Sequence, residues 1–157
     1  MNPYASQLGS REPVQVIENT ADRIQRLWNA LPADRRNAPV APGKWSPREV
    51  LCHLADTEIV WAFRLRQSLA EAHHIIQPMD QTVWAEQYRA YDGADALSLL
   101  LALRRWNVSL IRQVVPAALD KPLTHPERGP MTYRVLLETM AGHDLHHVAQ
   151  LEKLTGQ

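Results

Sequence analysis

The sequence predicts an all-α fold, a four-helix bundle made from the four long stretches into which prolines divide the chain. No stretch shows strand-like alternation of useful length, whereas the long stretches carry apolar residues at helical spacing. The chain has 157 residues, 45% apolar and 22% charged, with a formal net charge of +0. This composition is typical of one globular domain with a sizeable core, so we expect a single domain over residues 1–157.

The charge balance and the N-terminus exclude several classes of protein. No basic patch points to nucleic acid, and no polybasic tail points to a membrane surface. The N-terminal segment lacks the apolar region of a signal peptide, and no apolar run approaches the length of a membrane span. We therefore expect no nucleic-acid partner, no membrane and a cytoplasmic location. The single cysteine, Cys52, excludes an internal disulfide and is predicted to be a small buried residue.

The first two helices have the clearest boundaries. The first is predicted from about Pro13 to Leu31, ahead of a linker that prolines keep extended. The second begins with Ser46 as N-cap, Pro47 at the first helical position, and Glu49 completing a capping box.

A long crossover separates the second helix from the third. It runs from Ala70 to Tyr91 and is predicted to contain a short helix near residues 82–88. A connection of this length favours a parallel arrangement of the helices that it joins. The three histidines outside the long helices are predicted to be solvated, namely His73 and His74 here and His125 in a later proline-rich loop.

The third helix is predicted from Asp92 or Gly93 to about Val115, and it carries two apolar faces. A four-helix monomer needs only one such face. The second face is therefore covered by the crossover or buried in a dimer; its residues are Leu99, Leu103, Trp106 and Leu110.

The fourth helix contains the motif around which the chemistry is predicted. It is capped by Thr132, continues to about Leu154 and ends at Gly156. Within the segment GHDLHHVAQ, His143 and His147 lie four residues apart, share one helical face and can both reach one metal ion. The neighbouring His146 falls on the polar side. A second interpretation is one solvated and one hydrogen-bonded histidine without a metal.

A candidate third ligand, His53, lies on the second helix at the edge of its apolar stripe. Glu49 and Asp56 are close in sequence, and a carboxylate is a common partner for the second nitrogen of a metal-binding histidine. The alternative for His53 is a surface histidine.

Two segments, GKWSPREVLCHLADTE and AGHDLHHVAQL, resemble the DinB-like (DinB/YfiT) superfamily of metal-dependent four-helix-bundle proteins. The resemblance implies an up-down-down-up bundle, commonly dimeric, with a divalent metal on three histidines. The matching positions are His53, His143 and His147. Related members include thiol transferases that use low-molecular-weight thiols and a mycothiol-dependent isomerase, so the resemblance also admits a low-molecular-weight thiol as cofactor.

Three neutral imidazoles leave coordination positions open, which is typical of catalytic metal sites. Zinc or nickel is favoured, and iron or manganese is also compatible. The sequence leaves three hypotheses: an enzyme for thiol transfer or hydrolysis of a small-molecule substrate, a non-catalytic metal-stabilised bundle in stress response or metal sensing, and a protease. The protease hypothesis places Asp144 as the general base of a variant HExxH motif. Candidates for lining a pocket beside the metal are Trp45, Trp61, Trp84, Tyr88 and Met140.

Overall fold

The computed structural model describes residues 2–39 and 41–155, and this part of the chain is mostly helical. Its helices are α1 (Ala5–Leu8), α2 (Pro13–Ala30), α3 (Pro47–Ala70), α4 (Gln81–Ala85), α5 (Gly93–Val114) and α6 (Tyr133–Thr155). Its strands are β1 (His74–Ile75), β2 (Pro122–His125) and β3 (Gly129–Thr132), and two 3₁₀ turns span Ala33–Arg35 and Tyr88–Ala90.

The four long helices lie where the sequence places them, and the capping box of α3 is confirmed. Ser46 Oγ accepts a hydrogen bond from the backbone N–H of Glu49, and the Glu49 carboxylate accepts one from the Ser46 N–H at 2.8 Å. The short helix of the crossover, α4, begins one residue before the predicted range and is followed by a 3₁₀ turn. The predicted helix stop at Gly156 lies outside the described residues.

The all-α prediction is wrong in one respect, because the structure also contains a small three-stranded sheet. β2 and β3 form an antiparallel hairpin in which Leu123 pairs with Met131, and β1 lies parallel to β2. These strands are two to four residues long. Such short strands show no usable alternation in sequence, and they are held by pairing with distant segments rather than by local preference.

The core consists of two apolar clusters at opposite ends of the bundle. One contains Ile24, Leu51, Leu100 and Leu151, and the other contains Ile17, Leu65, Ile111 and Leu136. α2 packs mainly on α6, and α3 mainly on α5. Between its two apolar ends each long helix contributes a buried polar residue to a central layer, namely Thr20, Glu58, Arg104 and Asp144. The fold therefore places these four polar side chains midway along the bundle.

The outer face of α5 remains partly open. Leu99 is 41% exposed and Trp106 is 66% exposed, so the crossover does not cover this face. A homodimer through it stays a prediction, which light scattering at micromolar concentration tests. Cys52 is buried as predicted, and burial raises the pKa of its thiol to about 11. None of the helices described here is both long enough and apolar enough to cross a lipid bilayer.

Candidate metal centre

The three histidines predicted as ligands meet in the interior. His53 on α3 and both His143 and His147 on α6 are at most 5% exposed. One ligand nitrogen from each lies within 4.8 Å of the other two, and His53 Nε2 is 3.1 Å from His143 Nε2. Among the described residues, no fourth histidine, cysteine or carboxylate joins this group.

The separation of two of these nitrogens, and the protonation of all three rings, fit a divalent cation. Two imidazole nitrogens bound about 2.1 Å from one ion, at angles between octahedral and tetrahedral, lie about 3.0–3.4 Å apart. The measured 3.1 Å between His53 and His143 lies within that interval. Burial lowers the pKa of His53 to about 3 and that of His147 to about 4, and it lowers the pKa of His143 well below its ordinary value. All three are therefore neutral at physiological pH, which is the form that binds metal.

Outer hydrogen bonds orient two of the rings. His147 Nδ1 lies 2.9 Å from Gln150 Oε1, an acceptor, so this nitrogen carries the proton and leaves the lone pair on Nε2. His53 Nδ1 lies 3.4 Å from the hydroxyl of Tyr88. The Nδ1 atom of His143 is buried and has no partner within the described residues.

The expected carboxylate partner of His53 is replaced by a phenol. Glu49 is occupied by the capping box, and its place beside the ring is taken by Tyr88, which arrives from the end of the crossover. Burial, and next the Asp56 carboxylate, raise the pKa of the Tyr88 hydroxyl, which therefore stays protonated. Asp56 thus influences the hydroxyl that contacts His53 rather than the ring itself, and helical spacing does not reveal the contact between Tyr88 and His53.

The predictions for the other four histidines are confirmed for two residues and wrong for two. His146 and His73 are exposed, as predicted. His74 and His125 were predicted to be solvated but are 5% and 4% exposed. Both belong to the unpredicted sheet, where His74 Nδ1 lies 2.8 Å from the Glu71 carboxylate and His125 Nδ1 accepts from the Glu127 N–H. The strands turn these side chains inward.

Asp144 does not face the histidines, and this contradicts the protease hypothesis. Its carboxylate accepts hydrogen bonds from Arg104 Nη1 at 2.6 Å and Nη2 at 3.1 Å, and another from the Thr20 hydroxyl at 2.5 Å. A general base must reach a proton of the reacting group. Adjacent helical residues diverge by about 100°, so Asp144 points between the helices and away from the cluster.

The same guanidinium also binds Glu58, so one buried cation pairs with carboxylates from two helices. Arg104 Nε and Nη2 lie 3.0 and 2.8 Å from the Glu58 oxygens, and the Asn107 amide donates to Glu58 at 2.8 Å. Burial opposes the charge of Arg104, but Asp144 and Glu58 hold its pKa above the ordinary value. Removing one partner of such a pair typically costs about 3–5 kcal/mol. This network ties α2, α3, α5 and α6 together beside the three histidines.

A cavity of about 130 Å³ opens beside the cluster. One face of α3 lines it at nearly every turn, through His53, Thr57, Trp61 and Arg64, and His143 lines it from α6. The hairpin of β2 and β3 adds a further set, His125, Glu127 and Arg128. One water needs about 10–15 Å³ by the same measure, so the cavity can hold several waters or a small organic group.

Of the five residues predicted to line this cavity, Trp61 does so. Trp45 packs against His53 with ring centroids 4.8 Å apart and lines a second pocket beside the cluster, next to His147. Tyr88 is fully buried behind His53. Trp84 and Met140 lie elsewhere. Arg64 was not predicted to line the cavity. It lies 11 residues after His53, which places it within about 20° of the same helical face. No local pattern marks Arg128 or His125.

The N-terminal segment forms one wall of the cavity. Tyr4, just before α1, packs its ring edge-on against His143, with centroids 5.4 Å apart, and also lines the cavity. Gly142 makes this approach possible, because a Cβ at that position would lie 2.6 Å from Tyr4 Cβ and 2.7 Å from its carbonyl oxygen. Glycine is therefore required where the segment crosses α6.

Comparison with known proteins agrees with the geometry of this centre. A family model described as the DinB superfamily matches residues 17–151, which include all three histidines. The chain belongs to the DinB superfamily. This confirms the resemblance carried by the two sequence segments around His53 and His143.

Several proteins similar to this chain carry names that refer to metals. A protein of Oceanobacillus iheyensis named "putative metal-dependent hydrolase" is 33% identical over 144 residues, covering 91% of this chain and 84% of its own length. YfiT of Bacillus subtilis has the same description and is 27% identical over 146 residues, covering 90% and 82%. A solved YfiT structure, described as a "probable metal-dependent hydrolase with an unusual four-helix bundle topology", has a TM-score of 0.83 at 25% identity, covering 92% of this chain and 84% of that chain.

Proposed function

We propose that this DinB-superfamily chain is a metal-dependent enzyme that hydrolyses a small molecule at the three-histidine centre. The observation that carries the proposal is the meeting of three buried, neutral imidazoles at the wall of a cavity. The hydrolase names of the relatives support hydrolysis over thiol transfer. When bound, a divalent ion supplies a Lewis acid that polarises a carbonyl oxygen and makes water nucleophilic at neutral pH.

The residues of the chain have separate roles in this proposal. His53, His143 and His147 bind the ion, and Tyr88 and Gln150 orient two of the rings. The apolar surface that excludes water around the reacting group comes from Trp61 and Val60 on α3. The ion cluster of Arg104, Glu58 and Asp144 keeps α3 and α6 at a constant separation.

The cavity favours an enzyme over a non-catalytic metal-stabilised bundle. A structural zinc site is usually closed by four protein ligands, whereas catalytic sites use three and keep a position open. Among the described residues three ligands are available, and two of them, His53 and His143, line the cavity. A reactant can therefore approach the coordination position that the protein leaves open.

Metal analysis and turnover test the proposal together. Protein expressed with zinc and nickel supplied should contain close to one divalent ion per chain and should hydrolyse a member of a panel of small esters and amides. The variant His143→Ala should lose both properties, and His146→Ala should keep both. Protein without metal, and without binding by titration, would overturn the site. Bound metal without hydrolysis would favour the non-catalytic bundle, unless a low-molecular-weight thiol is transferred to an electrophile instead.

We also infer the direction of the helices from the two apolar clusters. α2 and α6 begin in the cluster that contains Leu65 and end in the cluster that contains Leu51. α3 and α5 run from the Leu51 cluster to the Leu65 cluster. This supports the up-down-down-up order, in which the crossover must return along the whole bundle before α5 begins.

A further inference from the structure

Two arginines share the cavity with the metal ligands. Arg64 extends from α3, one wall of the cavity, and Arg128 comes from the turn of the β2–β3 hairpin at another. Arg64 is partly buried, and its guanidinium lies over the Trp61 ring, 5.4 Å from the ring centroid. Since Trp61 also packs against His143, with centroids 6.2 Å apart, one indole bridges the arginine and a metal ligand.

The positive charge of these arginines is not neutralised by a salt bridge. Within the described residues no carboxylate oxygen lies within 4.0 Å of a guanidinium nitrogen of Arg64 or Arg128. Arg64 Nη2 donates to the Gln77 carbonyl at 2.8 Å, but its buried Nε has no partner. Burial, and next the charge of Arg128, lower the pKa of Arg64 to about 10, so the group is still charged at neutral pH.

The other titratable groups of the cavity leave it electropositive. Glu127 is the one carboxylate among the lining residues and is exposed at the hairpin turn. Burial lowers the pKa of His125, so this ring is neutral at physiological pH. Tyr4 adds a hydroxyl near Arg128, whose charge partly offsets the rise in the Tyr4 pKa caused by burial. The cavity is thus lined by two guanidinium groups and a phenol, but by one carboxylate.

We propose that this cavity binds the oxyanion group, a carboxylate or a phosphate, of a small-molecule substrate, held by Arg64 and Arg128 with the rest of the molecule directed at the histidines. Arginine presents several N–H donors in a planar array that matches both groups and forms charge-assisted hydrogen bonds with them. An occupant of this charge also relieves the repulsion between the two guanidinium groups. The proposal rests on the proposed function and narrows its substrate class to anionic molecules.

Binding to metal-free and zinc-loaded protein separates this proposal from the metal chemistry. The probes are succinate, inorganic phosphate and the neutral succinamide, measured by isothermal titration calorimetry and by the NMR signal of the Arg64 Nε–H. We expect one of the anions to bind metal-free protein more tightly than succinamide and to shift that signal. The tighter of the two anions identifies the group as carboxylate or phosphate.

Matched arginine variants complete the test. Arg64→Gln and Arg128→Gln should each weaken anion binding by about tenfold, equivalent to about 1.4 kcal/mol. Arg64→Lys, which keeps the charge, should retain part of the affinity. Arg134→Gln makes the same charge change at an exposed site on α6 outside the cavity and should have no effect. Far-UV circular dichroism verifies that each variant is folded.

Three results would overturn the oxyanion site: equal affinity for succinamide and the anions, no anion binding at millimolar concentration, or full affinity in both glutamine variants. Binding seen with zinc-loaded protein alone and insensitive to the arginines would assign the anion to the metal and would also overturn it. Failure of the proposed function has a different signature, since anion binding by metal-free protein would persist without metal uptake or hydrolysis.

Discussion

Replacing each of the seven histidines by alanine should separate three metal ligands from four bystanders through the effect of metal on thermal stability. At a free metal concentration of 1,000 times Kd, binding stabilises the native state by about 4.1 kcal/mol. For a chain of this size each kcal/mol moves the melting temperature by about 2–4 °C. Zinc or nickel should therefore raise the melting temperature of the unmodified protein by about 8–16 °C.

Loss of one ligand should remove most of that increase. If His53→Ala, His143→Ala or His147→Ala weakens Kd by as little as about 100-fold, the same metal concentration contributes about 1.4 kcal/mol, or about 3–6 °C. A larger loss of affinity, expected when two ligands remain, abolishes the increase. Because the two apolar clusters are independent of the metal, metal-free protein should remain helical.

The assay is differential scanning calorimetry with and without metal, together with metal content by mass spectrometry. The measured quantity is the difference in melting temperature for one variant, so a change in basal stability does not affect the comparison. This matters for His74→Ala and His125→Ala, which remove buried side chains outside the cluster. Full metal-induced stabilisation in His53→Ala, or its loss in His146→Ala, would refute the assignment of ligands.

Three further predictions concern the surroundings of the ligands. Tyr88→Phe should weaken metal binding by about 10–100-fold, since it removes the hydroxyl that orients His53, and a metal titration measures this. Arg104→Gln should lower the free energy of unfolding by about 3–5 kcal/mol in urea denaturation, because it leaves the buried Glu58 and Asp144 carboxylates without a cation. Acidification should destabilise metal-free protein below about pH 6.5, by about 1.4 kcal/mol per pH unit for each of His53 and His147.

The sign of the acid effect follows from burial. The folded state holds the pKa of His53 at about 3 and that of His147 at about 4, so an unfolded chain with ordinary values binds more protons between these values and about pH 6.5. The contribution of these histidines to the free energy of unfolding is therefore complete above about pH 6.5 and decreases as the pH falls toward their folded-state pKa values. An unfolding free energy independent of pH down to about pH 5 would contradict the prediction.

Tyr91→Phe, outside the cluster, is the control for Tyr88→Phe. Equal metal affinity in both variants would exclude an orienting role for the Tyr88 hydroxyl.

The long helices and two of the three candidate metal ligands are evident from sequence because the interactions that define them are local. Ser46 and Glu49 satisfy each other within one helical turn, and His143 and His147 are brought to one face by the geometry of a single helix. Such features depend on residues three or four positions apart. Nothing elsewhere in the chain is needed to place them.

The sheet and the outer partners of the ligands depend on contacts across the fold. β1 and β2 are about fifty residues apart in the chain, as the pairing of His74 with Leu123 shows, and neither segment has a periodicity of its own. The hydroxyl that contacts His53 belongs to Tyr88, 35 residues away. Sequence proximity instead favoured Glu49 and Asp56, but the first is used by the helix cap and the second influences the tyrosine hydroxyl.

The sequence by itself determined a mostly helical bundle and a pair of histidines able to share a metal, since both follow from the 3.6-residue period of a helix. Tertiary structure alone decided that Asp144 pairs with Arg104, and that Arg64 and Arg128 meet at one cavity. The physical reason for the pair is that a buried charge needs a partner from another segment, and the packing of the long helices selects that partner. The two arginines come from α3 and from the β2–β3 turn, segments that only the folded chain brings to one cavity. The cavity, and with it the substrate class that we propose, depends on that packing.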